Sequence, residues 1–177
     1  MTSRFLDPVD DTSPFEHIGF GGGCHWCTEA VFQTLLGVVT VEQGFIISHP
    51  PSDTYSEAVL VEYNPAEISQ SVLIEIHLRT HSSTSNHKMR GKYRSAVYTF
   101  SNDQKIQVET TIAELQGGFT EPLVTQTLPF VDFKHSDERF QNYRLKNPEG
   151  PFCKSYIDPK LSVLRQQYGK FLNAEHA

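Results

Sequence analysis

Three consecutive glycines, Gly21-Gly22-Gly23, stand between the short apolar run His17-Ile18-Gly19-Phe20 and a segment in which Ala30, Val31, Leu35 and Leu36 recur at helical spacing. Such an order reads as a strand that turns sharply into a helix. The turn delivers Cys24 to the first turn of that helix. Free backbone N–H groups and the positive end of the helix dipole favour a thiolate there over a thiol.

Cys27 follows three residues later, in the motif Cys24-His25-Trp26-Cys27, and shares a helix face with Cys24. Spacing alone leaves three readings open: a redox pair, half of a metal site, or a thiol that only packs.

The order of the remaining elements limits the fold. Strands are expected at about 17–21, from about 38, at about 58–63 and at about 94–100, with helices at about 24–35 and 67–79. The first helix stops at Gly37, and the second carries Ile68, Val72, Leu73, Ile76 and His77 on its apolar face. Strand, helix, strand, strand, helix, strand predicts an α+β fold with a ferredoxin-like split β-α-β core, a mixed sheet packed by helices. A charged helix at about 102–116, a strand at about 122–127 and helices at about 136–146 and 158–172 form a C-terminal extension. Cys153 lies in that extension on a proline-flanked segment expected to be flexible.

With 177 residues the chain suits one domain. Residues 1–15 are polar, acidic and proline-interrupted and read as an arm, leaving 16–177 as the single catalytic domain. A net charge of -6 gives no electrostatic reason to expect nucleic acid or an anionic membrane as partner. The N-terminus shows no signal-like apolar core and no later run is long enough to span a membrane, so residence in the cytoplasm is expected; separately, a monomer is expected. Three cysteines are too few for a disulfide scaffold, and in a reducing compartment they are better explained by chemistry.

With these segments in place the chain resembles the peptide methionine sulfoxide reductases of the A type. The resemblance runs through Gly21-Gly22-Gly23-Cys24 to Glu29, Ser56-Glu57-Ala58-Val59, Lys92-Tyr93-Arg94-Ser95-Ala96-Val97-Tyr98, and Lys146-Asn147-Pro148 leading to Cys153. It implies reduction of methionine S-sulfoxide, free or in proteins, without a cofactor and with thioredoxin or another dithiol as reductant. Cys24 is then the nucleophile that becomes a sulfenic acid, and a second thiol condenses with it. Cys153 matches the family's resolving position, and Cys27 is the nearer alternative or a relay.

Glu57 matches the family's acid, and a carboxyl gives a proton near neutral pH only if its surroundings hold it protonated. Tyr93 matches a tyrosine that hydrogen-bonds the sulfoxide oxygen, and Trp26 an indole wall for the substrate methyl group. Glu29 belongs to the first block and ranks behind Glu57. His25 replaces the usual phenylalanine, Cys27 the usual glycine, and Lys88 the usual aspartate five residues before the tyrosine. The stretch from Gly44 to Glu57 is shorter than the family pattern, and Tyr55 stands in for a second oxygen-binding tyrosine if the strand reaches that far.

Two other functions fit the motif. A thiol-disulfide oxidoreductase would use Cys24 and Cys27 directly, but a thioredoxin-like order of elements is not evident. A zinc module would take Cys24, Cys27, Cys153 and one of the eight histidines, but no second tightly spaced ligand pair is present.

Overall fold

A computed structural model describes residues 12–175. The arm expected over residues 1–15 lies outside the described residues as far as residue 11. The elements run β1 (Glu16–Gly21), α1 (His25–Gln33), β2 (Val38–Ile47), β3 (Ser56–Tyr63), α2 (Gln70–Thr80), β4 (Ala96–Thr99), α3 (Asn102–Leu115), β5 (Gln126–Pro129), β6 (Asp132–His135), α4 (Tyr143–Lys146) and α5 (Asp158–Gln167). Six strands form one sheet in the order β5-β4-β1-β3-β2-β6. Its inner four, β4-β1-β3-β2, are antiparallel and connected as the split β-α-β pattern requires, while β5 adds a parallel strand beside β4.

β3 is central and buried along its whole length, which explains its nearly unbroken apolar run. Its alternate residues Val59, Val61 and Tyr63 join Ile18, Phe20 and Val97 in the main core. Helix α1 closes on that core, with Phe32 stacked on Phe20 at 4.5 Å between ring centres. Ala58 and Leu60 point to a smaller second cluster with Ile46, Ala96, Tyr98 and Phe133. Because side chains alternate along a strand, Glu57 shares the face of Val59 and Val61, the face that α1 covers. Gly37 has φ +83°, a left-handed conformation that a side chain resists, and it turns the chain from α1 into β2.

Several expectations give way downstream. The strand expected at 122–127 forms four residues later as β5, and β6 has no counterpart in the pattern analysis. The helix expected over 136–146 is confined to α4, because Asn142 is in the left-handed region and stops helix from forming before it. Cys153 is not on a free segment. It opens a π-helical turn, Cys153–Ile157, and is fully buried in the main core.

Candidate active site

Cys24 occupies the N-cap position of α1, and its carbonyl accepts from the N–H groups of Cys27 and Thr28 at 3.1 and 3.2 Å. The glycine turn that carries it is held from two sides. A side chain at Gly22 would meet the His81 ring at 2.5 Å, and Arg90 Nη1 donates to the Gly22 carbonyl at 3.1 Å. The same guanidinium donates to the Tyr93 carbonyl at 3.0 Å, tying the nucleophile's turn to the segment before β4.

The Cys24 thiol is held below its usual pKa. A hydrogen bond from the Cys27 side chain is the largest cause, helped by the N–H groups of Trp26 and Cys27 and opposed by burial and by the charge of Glu57. Donating that bond, together with burial, pushes the Cys27 thiol far up. The pair is therefore asymmetric, with Cys24 the more acidic thiol and Cys27 the proton-bearing donor. Burial also raises the Cys153 thiol.

Glu57 begins its strand face beside this turn. Its Oε2 accepts from the His25 backbone N–H at 3.0 Å, and Lys92 Nζ lies 3.7 Å from its Oε1. Lys92 also sits 5.0 Å from the centre of the Tyr93 ring, so Glu57 and Tyr93 flank one ammonium. Two of the motif blocks are zipped together here. Glu57 N and Ser56 Oγ both donate to the Lys92 carbonyl, at 2.9 Å each, and Arg94 N donates to Ser56 Oγ at 2.8 Å. Arg94 itself is buried and spends its guanidinium on Thr54 and the Tyr98 hydroxyl, so it builds the frame of the site.

His25 is buried, and its Nδ1 lies 2.7 Å from the Gly44 carbonyl. A carbonyl only accepts, so Nδ1 carries the hydrogen and the Nε2 lone pair is left 3.7 Å from Glu57 Oε2. Burial pulls the His25 pKa down, against the opposing pull of the Glu57 charge. The ring is therefore neutral at neutral pH, and it offers Cys24 no imidazolium charge.

Trp26 is half-buried. Its indole stacks on Tyr143 at 4.0 Å with 10° between planes, and Phe140 and Phe152 are each 5.1 Å away between centres. Glu29 makes this cluster possible. It is fully buried in α1, and its two oxygens accept the N–H groups of Asn142 and Tyr143 at 2.9 and 3.0 Å. Glu29 thus clamps the left-handed turn that sets Tyr143 against Trp26. Tyr55 departs from expectation. β3 starts one residue after it, and its exposed hydroxyl donates to Asp132 Oδ2 at 2.6 Å.

The sequence assigned no role to Phe45, Tyr143 or Lys160, and Lys92 entered only as part of a motif block. Phe45 is the register partner of Glu57 across β2 and β3, with its ring edge-on to His25 at 5.1 Å between centres. The signal for Phe45 is that register, which is legible once the strands are paired. Among the described residues, no group of three or more His, Cys, Asp or Glu is arranged to hold a metal ion.

A family model for peptide methionine sulfoxide reductase matches residues 16–172. The chain belongs to the peptide methionine sulfoxide reductase family. Peptide methionine sulfoxide reductase MsrA of Deinococcus radiodurans is 36% identical over 166 residues, covering 85% of this chain and 81% of the relative. Among solved structures, Mxr1 from Saccharomyces cerevisiae in its reduced form superposes with a TM-score of 0.69 at 24% identity, covering 79% of this chain and 90% of Mxr1. Mxr1 in complex with Trx2 gives a TM-score of 0.61 at 20% identity, over 77% of this chain and 91% of Mxr1. At those identities Mxr1 attests the shared fold. Membership places the reaction: this chain is an oxidoreductase that reduces methionine sulfoxide.

Proposed function

We propose that Cys24 reduces methionine S-sulfoxide, with Glu57 as proton donor and Cys27 as the resolving thiol. The Cys24 thiolate attacks the sulfoxide sulfur while Glu57 gives a proton to the oxygen, since an unprotonated oxide is a poor leaving group. The thioether departs, and the oxygen stays on Cys24 as a sulfenic acid. Cys27 then attacks the Cys24 sulfur, the S–O bond breaks, and the oxygen leaves as water with the Cys27 proton. A dithiol of thioredoxin type reduces the disulfide, so the sum is sulfoxide plus dithiol giving thioether, disulfide and water.

The observation that carries this reading is the chain of contacts Cys27–Cys24–His25 N–H–Glu57, in which the resolving thiol, the nucleophile and the acid are neighbours through one helix start. Tyr93, beside Lys92 and Glu57, is assigned to the sulfoxide oxygen, and the faces of Phe45, His25 and Trp26 to the substrate's methyl and thioether. Cys27 is preferred to Cys153 because it shares a helical turn and a cavity with Cys24, whereas Cys153 lies fully buried in the core. A bridge within one helical turn strains regular helix geometry, but first-turn pairs accommodate it. The association of Mxr1, which shares the fold, with Trx2 supports a thioredoxin-type reductant.

Epimer-resolved turnover with dithiothreitol and then with thioredoxin tests the reading. Wild type is expected to consume the S epimer with either reductant, and Cys24→Ser to consume neither epimer with either. Turnover retained by Cys24→Ser would remove Cys24 as the nucleophile.

A further inference from the structure

A small cavity of about 40 Å³ beside the nucleophile is lined by Cys24, Cys27, His77, Thr80, His81 and Lys160. Two of its walls are fixed as neutral. His81 Nδ1 donates to the His77 carbonyl while its Nε2 faces Ser95 Oγ at 2.8 Å, and burial brings its pKa down to about 4. His77 is buried, stacks on His81 at 4.2 Å, has its pKa lowered by burial, and leaves Nε2 without a hydrogen-bond partner. The third wall is a cation. Lys160 Nζ donates to the Thr80 carbonyl at the end of α2, and among the described residues no carboxylate lies within ion-pair distance of it.

An ammonium taken out of water without a carboxylate partner is costly, and burial lowers the Lys160 pKa accordingly. Ionisation of either thiol in the cavity would give it a partner, Cys27 ahead of Cys24. The remaining groups that bear on the two sulfurs are Glu57 on β3, Lys92 before β4 and Cys153 on the π turn, and Arg90 bears on His81.

We propose that Lys160 is the positioning residue of the disulfide half of the cycle, its ammonium stabilising the Cys27 thiolate as that sulfur attacks the Cys24 sulfenic acid. The inference rests on Cys27 as the resolving thiol. In the step, Cys27 gives up its proton and forms the S–S bond, the Cys24 S–O bond breaks, and the oxygen departs with the proton as water. When a dithiol later opens the disulfide, the same ammonium receives Cys27 as the leaving thiolate, and a stabilised leaving group leaves faster. The first half of the cycle should feel it less, because Cys24 is already favoured as thiolate by Cys27 and the helix N–H groups, and the ammonium bears on Cys27 ahead of Cys24.

Lys160 also caps the end of α2 through Thr80, so its removal has to be separated from loss of a cap. Lys160→Gln keeps a donor for Thr80 and deletes the charge, and Lys160→Met deletes both. Reduced protein is mixed with one equivalent of methionine S-sulfoxide, and methionine release and a diketone-trapped sulfenic acid are followed across pH. Both variants are expected to slow methionine release less than they slow decay of the sulfenic acid. A nearby opposite charge moves a pKa by about 1 to 3 units, and nucleophilicity recovers nearly half of the lost thiolate, so the sulfenic acid should persist about 3- to 50-fold longer. The pH–rate curve for its decay should also move to higher pH. Decay curves that superimpose on wild type at every pH, or a slowing of both steps with no displacement in pH, would overturn the role of Lys160. Cys27→Ser separates the underlying reading: it should hold the sulfenic acid, and decay at the wild-type rate there would remove Cys27 as resolver and this inference with it.

Discussion

The backbone N–H of His25 donates to Glu57 Oε2 at 3.0 Å, so the residue that follows the nucleophile anchors the acid. The acid can leave the nucleophile only by giving up that hydrogen bond.

That anchoring makes Glu57→Gln a clean test. The amide oxygen still accepts from His25, so the fold is kept, while the transferable proton is lost. Turnover should fall roughly a hundred- to ten-thousandfold, typical of a general acid. A loss under about tenfold in steady-state assays with dithiothreitol would move the proton donor elsewhere.

His25→Phe separates a neutral hydrogen-bonding ring from a charged one. Because burial keeps the ring neutral, the pH dependence of Cys24 alkylation should be unchanged by the substitution. Stability should drop by about 1–3 kcal/mol, because the Gly44 carbonyl loses its buried partner. An alkylation curve displaced to higher pH would restore an imidazolium role.

Glu29 is expected to act through stability and substrate affinity. Glu29→Gln replaces one acceptor of the Asn142 and Tyr143 N–H groups with a donor, at a cost of about 1–3 kcal/mol in denaturant unfolding. Tyr143 loses its fixed place on Trp26, so KM should rise more than kcat falls. A fall in kcat with unchanged KM and stability would instead make Glu29 part of the chemistry.

Acid sensitivity follows from the histidine pair. An unfolded histidine titrates near 6.5 and folded His81 at about 4, so between these values the unfolded state binds more protons. The His81 contribution is complete above pH 6.5 and is lost as pH falls toward 4, on the order of 3 kcal/mol, with His77 acting in the same direction. Urea unfolding at pH 7.5 and 4.5 should show a smaller difference in His81→Gln than in wild type. Equal differences would place the acid sensitivity in other groups.

The β-α-β-β-α-β core was legible because its strands and first two helices carry clear apolar periods and glycine or proline boundaries. Cys24, Cys27, Glu57 and Tyr93 were legible through their motif blocks, and the contacts between Ser56, Lys92 and Arg94 explain why two of those blocks belong together. Beyond Leu115 local pattern fails for physical reasons. β6 is a four-residue edge strand, Asp-Phe-Lys-His, with one fully apolar side chain, and the turn before α4 is set by the carboxylate of Glu29, 113 residues away. Lys160 reads in sequence as a solvated helix lysine, and only the approach of α5 to α2 turns it inward. Cys153 lies between polar and proline residues, and its burial comes from packing against α1.

The most direct measurement of the account is thiol mapping after a single turnover. Fully reduced protein is given one equivalent of methionine S-sulfoxide without external reductant, quenched with an alkylating reagent, digested and analysed by mass spectrometry. The account predicts one methionine released per chain, Cys24 linked to Cys27, and Cys153 recovered as a free thiol. Methionine released with Cys24 still alkylatable would contradict it.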